Sequence, residues 1–132
     1  MKNDIDPKIN GFAKQVVDCA FEVHSTLGPG LLESIYETCL AHEIALRRLK
    51  VQRQVALPVS YKGMEFDDGL RIDLLIEGAL IVEVKTVESL LPVHQAQLLT
   101  YLKLTGCTLG LLINFHVPLI KLGIQRVVCS KE

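Results

Sequence analysis

The stretch from Gly69 to Val87, GLRIDLLIEGALIVEVKTV, reads as two apolar strands interrupted by Asp73, Glu83 and Lys85. Side chains alternate across a strand, so Ile72, Leu74 and Ile76 fall on one face of the first, and Val82 and Val84 on one face of the second. The three charged residues take the opposite faces. Whether the acids meet depends on the turn. A two-residue turn at Gly78-Ala79 sets Asp73 against Val84. A loop of Glu77, Gly78 and Ala79 sets Asp73 opposite Glu83 and Arg71 opposite Lys85. An odd-length connection is the expectation; such loops commonly end in a residue at positive φ, which Gly78 supplies only if the loop is shifted or bulged. Two carboxylates facing each other repel unless a positive group lies between them. A divalent cation is the natural filler and Lys85 a lesser one.

Working outward, Asp6-Pro7 reads as an N-cap and first helical turn. The helix it opens runs through about Leu27, with Ile9, Phe12, Val16, Cys19, Ala20 and Val23 as its buried stripe. Gly28-Pro29-Gly30 ends it. A second helix is expected from about Leu31 to Leu49, turning Leu32, Ile35, Tyr36, Cys39, Leu40 and Ile44 inward. Val51 to Tyr61 alternates as a strand through Val55, Leu57 and Val59, with Pro58 implying an edge or a bulge. Lys62-Gly63 is a turn. Pro92 starts a third helix that reaches about Leu104 and stops at Gly106. Thr108 to Phe115, TLGLLINF, is a strand covered on both faces, and Gln125 to Cys129 a last short one. Three strands in a meander, then a helix crossing over to a further strand, give an α/β sandwich with a mixed sheet.

Composition narrows the class. A length of 132 residues fits one domain over residues 1–132. Fourteen basic and fifteen acidic side chains leave a net charge of −1, without the global basic field of many non-specific nucleic-acid binders. Arg47, Arg48, Lys50 and Arg53 form a local basic cluster able to touch phosphate. No segment has the ~20 apolar residues of a membrane span, and the N-terminal residues carry no signal-type apolar run, so a cytoplasmic location without membrane contact is expected. Cys19, Cys39, Cys107 and Cys129 are scattered in apolar contexts and read as buried free thiols, ahead of a zinc site or a disulfide set. No glycine-rich nucleotide loop is present, and no Ser, His and Asp spacing suggests acyl transfer.

The pattern resembles the metal-binding core of the PD-(D/E)XK phosphodiesterase superfamily, which includes many DNA-cutting nucleases. Asp73 followed by Ile81-Val-Glu-Val-Lys85 carries the likeness. Gln97-Leu-Leu-Thr-Tyr101 is similar to the Gln-x-x-x-Tyr motif of its RecB-like branch. Gly30-Leu-Leu-Glu33-Ser-Ile-Tyr36 matches the Gly-x-x-Glu-x-x-Tyr signature of a small, largely uncharacterised bacterial family within it. The likeness runs from about Ile9 to Val128, and departs at Ile72, where a proline often precedes the first acid. It implies a restriction-endonuclease-like core, a central mixed β-sheet flanked by α-helices in α-α-β-β-β-α-β-β order.

The chemistry follows from the donor types. Asp73 and Glu83 are hard oxygen ligands of the kind Mg²⁺ or Mn²⁺ prefers, leaving positions for waters and substrate phosphate. Lys85 can orient an attacking water or stabilise developing negative charge. The resemblance adds the Val84 carbonyl as a further ligand, Glu33 as a ligand directly or through water, and Gln97 and Tyr101 as residues that position the site or the strand. Glu33, expected to begin the second turn of the second helix, reads equally as a helix-start acid favoured by the dipole. Tyr36 reads as a core residue with its hydroxyl bonded, and Gly30 as a position for an unusual backbone angle. His94 shares the stripe of Gln97 and Tyr101. His24 stands near the end of the first helix, suited to its dipole, and the resemblance makes it an interesting neighbour of the site. His42 and His116 have no commending partner. The expectation is a Mg-dependent nuclease acting on nucleic acid, DNA ahead of RNA, with a homodimer or protein partner enlarging a small substrate surface. The alternative is a non-catalytic nucleic-acid- or protein-binding module on the same fold.

Overall fold

A computed structural model describes residues 5–130, apart from the side chain of Asp68. Residues 1–4 and 131–132 of the expected domain lie outside the described residues. The elements run α1 (Pro7–Leu27), α2 (Glu33–Leu46), β1 (Val51–Tyr61), β2 (Met64–Ile76), β3 (Leu80–Lys85), α3 (Pro92–Thr105), β4 (Leu109–Asn114), a short 3-10 turn (Ile120–Gly123) and β5 (Ile124–Val128). The five strands lie in that order in one sheet. The β3–β4 pair is parallel and the other three are antiparallel, so α3 is the crossover. This is the mixed sheet flanked by helices that the sequence leads one to expect, a restriction-endonuclease-like α/β fold.

Two apolar cores cover the sheet. One joins α1 and α2 to Leu80, Val82 and Val84 of β3 and Leu109, Leu111 and Ile113 of β4. The other joins Leu98, Tyr101 and Leu102 of α3 to Ile81 and Leu112. Strand β4 as far as Ile113, and β3 as far as Val82, are apolar on both faces because both faces are covered. Asp6 caps α1 by accepting the Lys8 amide at 2.8 Å, and Gly106 ends α3 with φ +79°. Strand β1 is an edge strand, and its pairing with β2 shifts between Leu57 and Val59, so Pro58 marks both an edge and an irregularity.

Helix α2 departs from the expectation at its ends and on its face. It spans Glu33–Leu46, so Glu33 opens the first turn and does not begin the second. The basic run lies beyond its last residue, with Arg47 as C-cap and Arg48 at φ +65°. Leu32 is 70% exposed and Ile35 is also exposed, while Glu37 and Ala41 join Tyr36, Leu40 and Ile44 in the buried set. Tyr36 accounts for the late start. Its hydroxyl donates to the Gly28 carbonyl at 2.5 Å and accepts the Leu31 amide at 3.1 Å, fixing the linker at a place where Gly30 takes φ +99°. Tyr36 also stacks on Phe115, with ring centroids 4.6 Å apart.

The odd-length connection between β2 and β3 is present. Ile76 pairs with Leu80 across Glu77, Gly78 and Ala79, and Glu77 and Gly78 have φ +54° and +65°. The strict alternation expected of β2 is not kept. Leu74 and Ile76 pack in the α1/α2-side core, but Ile72 packs in the α3-side core. The same exchange occurs on β1, where Val51 packs on the first side and Val55 and Leu57 on the second. Between them, Gln54 adopts φ +52°. The β1–β2 ribbon changes faces at Gln54 and Asp73.

Candidate active site

The β2–β3 ladder runs from Ile76/Leu80 to Leu74/Val82. At the next position the side chains replace the ladder. Asp73 N–H donates to Glu83 Oε2 at 2.9 Å, and Val84 N–H donates to Asp73 Oδ2 at 2.9 Å. Each acid therefore caps a backbone donor freed where the strands part, which buried N–H groups require. Register brings Asp73 and Glu83 together as expected. It does not carry on to Arg71 and Lys85, because the fork has opened; Arg71 Nη1 donates instead to the Gln54 carbonyl at 3.2 Å.

On its other side β3 stays paired. Glu83 and Lys85 lie in register with Leu112 and Asn114 of β4, and the Phe115 amide donates to the Lys85 carbonyl at 2.9 Å. Buried Asn114 holds the chain that follows Lys85: Nδ2 donates to the Val87 carbonyl at 2.8 Å, and Oδ1 accepts the amides of Val87 and His116 at 3.0 and 3.2 Å.

The electrostatics are those of two neighbouring acids drawn out of water. Burial pushes the Asp73 carboxyl up to about 6, with Glu37 and Glu33 adding to the rise, while the Val84 amide and Lys85 oppose it. Glu83 is only 4% exposed, and burial, followed by the charge of Asp73, pushes it up to about 8 against the Asp73 amide and Lys85. Tyr101, 4% exposed, is also raised, first by burial and then by Glu83 and Asp73, so the α3 phenol lies within the field of both acids.

The other expected residues are placed less evenly. Lys85 is half-buried beside the pair. Glu33 is exposed at the start of α2, near enough to raise Asp73 but behind Glu37 in effect. Gln97 is exposed one helical turn before Tyr101. His94 is occupied at the α3 N-terminus, where Nδ1 accepts the Leu91 amide at 2.9 Å. His24 bonds the Val117 carbonyl through Nε2 at 2.8 Å and ties α1 to the segment after β4. Of the basic cluster, Arg53 turns inward to Thr38 at 3.0 Å and to Glu37 at 3.4 Å.

Glu37 and Gln54 carry no mark in the motif reading. Glu37 is 6% exposed and accepts Gln54 Nε2 on both oxygens, at 3.1 and 2.9 Å. Gln54 Nε2 also reaches Asp73 Oδ1 at 3.4 Å. One signal was available: Arg53 interrupts the apolar set Val51, Val55, Leu57 and Val59, inside the polar run Gln52-Arg53-Gln54.

Among the described residues no group of three or more His, Cys, Asp or Glu side chains is gathered closely enough to hold a metal ion. The donor set is two carboxylates with raised proton affinity at an open fork. That fits a hard divalent cation which keeps water and substrate oxygens in its remaining positions, and does not fit one caged by protein alone.

The chain matches the sequence model of the PD-(D/E)XK nuclease superfamily over residues 10–127. It belongs to that superfamily. These nucleases act on nucleic acids and generally use divalent metals, and the Asp73, Glu83 and Lys85 fork lies inside the matched span. In fold the chain is similar to the protein described as "Crystal structure of SSO0001", with a TM-score of 0.57 at 19% identity, covering 76% of this chain and 52% of that one. It thus spans about half of that protein's length, and the likeness is one of fold. No curated protein sequence matches the chain. No helix among the described residues is long and apolar enough to cross a membrane.

Proposed function

We propose that the protein is a Mg²⁺-dependent nuclease, with Mn²⁺ as a working substitute, that hydrolyses phosphodiester bonds in DNA ahead of RNA. The observation that carries this reading is the reciprocal capping at the fork, where Glu83 accepts the Asp73 amide and Asp73 accepts the Val84 amide. That arrangement holds two carboxylates together in a half-buried place, although their charges oppose one another.

Asp73 and Glu83 would hold the cation, with the Val84 carbonyl added by resemblance and Glu33 acting through water from the start of α2. When bound, the cation supplies neutralisation of phosphoryl charge and a more acidic water. Lys85 shares the face of Glu83, where its ammonium would orient water or stabilise developing negative charge. Tyr101 and Gln97, one turn apart on α3, position the strand. The Gly30, Glu33 and Tyr36 spacing supports membership of the Gly-x-x-Glu-x-x-Tyr group, with Tyr36 shaping the linker that delivers Glu33. A second copy or a partner protein extends the substrate surface. The four cysteines are free, which suits the reducing cytoplasm.

The test is hydrolysis of single- and double-stranded DNA and RNA oligonucleotides with Mg²⁺ or Mn²⁺. Lys85→Ala should remain folded and lose about 10²–10³-fold in rate. Equal rates in Lys85→Ala and wild type would contradict the assignment. A wild type that binds oligonucleotides without cutting any of them would favour the binding module.

A further inference from the structure

We infer that Gln54 is a positioning residue for Asp73, its amide turned toward the site by Glu37. This rests on the metal-site reading above and adds to it a residue outside the superfamily motif. The starting observation is a backbone one. Arg53 and Gln54 are neighbours on β1, yet both side chains reach Glu37 on α2, at 3.4 Å and 2.9 Å. Successive residues of a regular strand point to opposite faces. The left-handed φ of +52° at Gln54 breaks that alternation and swings its side chain to the same side as that of Arg53.

The flanking pairs Arg53/Leu74 and Val55/Ile72 keep their register, so Gln54 lies directly across from Asp73. Two contacts fix it there. Arg71, two residues before Asp73, holds the Gln54 carbonyl at 3.2 Å. Glu37 accepts Nε2 on both carboxylate oxygens. The orientation of the amide is dictated, since its oxygen in that place would face the acceptors of Glu37 and Asp73. Nε2 consequently points at Asp73 Oδ1, 3.4 Å away, while Asp73 Oδ2 is held by the Val84 amide. Asp73 is bracketed between β1 and β3, with its carboxylate plane set from both sides.

A residue with φ near +52° is uncommon unless glycine or asparagine. A strained glutamine in mid-strand, aimed at an acid of the site, is the pattern of strain kept for function. Gln54 is itself exposed, so removing its side chain leaves the cores intact.

The experiment combines amide hydrogen exchange with calorimetric Mn²⁺ titration on wild type, Gln54→Leu and Gln54→Gly, with thermal unfolding to establish folding. Gln54→Gly relieves the backbone and removes the amide, so it separates stability from positioning. In both variants the Val84 amide should exchange about tenfold faster relative to the Ile113 amide, and Mn²⁺ affinity should fall about tenfold. Glu37→Gln should move both in the same direction. Unchanged Val84 exchange in the folded variants overturns the inference, as does unchanged Mn²⁺ affinity where the wild type binds. A wild type that takes up no Mn²⁺ counts against the metal reading, and the exchange alone then decides for or against Gln54.

Discussion

The two edges of β3 are built in opposite ways. Toward β4 the pairing continues from Leu80 to Lys85 without a break, and Asn114 then ties the outgoing chain at Val87. Toward β2 it ends at Val82, and two carboxylates take over the bonding. The closed edge depends on apolar packing and an unbroken run of backbone bonds. The open edge is polar, and part of its bonding depends on which protons the acids hold. One strand thus holds Glu83 and Lys85 on a base paired to β4, at the point where its pairing with β2 has ended. A site on a regular strand is located more exactly than one on a loop.

The largest expected effect on stability breaks the closed edge. Asn114→Ala leaves the Val87 amide and carbonyl and the His116 amide without their partner, and should cost about 2–3 kcal/mol in urea unfolding. A cost near zero would mean that the tie after Lys85 is dispensable.

The next effect belongs to the open edge. Both acids titrate higher folded than unfolded, rising from 3.8 to about 6 for Asp73 and from 4.5 to about 8 for Glu83. Between those limits the folded state binds more protons than the unfolded chain. The metal-free protein is therefore most stable at the acid end of the window and loses stability as pH rises through it. Glu83→Gln should remove most of that slope and stabilise the metal-free protein at alkaline pH by about 1–3 kcal/mol. Melting temperatures of the two proteins across the window decide this. Parallel curves would show that the acids are not in conflict.

The smallest effect separates Glu33 from the acids of the fork. It sits in the first turn of α2 and is exposed, so Glu33→Gln should cost under about 1 kcal/mol through the helix dipole. Its hydrolytic rate should fall about tenfold, as for a group acting through water. Complete loss of activity would place it in direct contact with the metal.

What the sequence discloses follows the same division. The closed edge is legible because TLGLLINF and LIVEVK are short apolar runs between turn residues, and a crossover helix then requires a parallel pair. The meeting of Asp73 with Glu83 is legible from turn parity alone. The fork is less so, because alternation extrapolates a strand beyond the point where it twists: it sets Ile72 on the face of Leu74, whereas Ile72 packs on the other. Gln54 is hidden for the same reason, since left-handed backbone at a glutamine has no propensity signal. Glu37 was obscured by apolar spacing, which set Leu32 and Ile35 inward. The α2 entrance, held by Tyr36, turns them outward and leaves room for an acid beneath.

The central claim is that the open edge of β3 binds a divalent cation through Asp73 and Glu83. Calorimetric titration of Mn²⁺, then Mg²⁺, into wild type, Asp73→Asn and Glu83→Gln tests it without any assumption about substrate, and is repeated with a phosphate-containing oligonucleotide present. The account predicts binding to the wild type that disappears in both folded variants. Binding that persists unchanged in both, or no wild-type binding at millimolar metal with the oligonucleotide present, would contradict it.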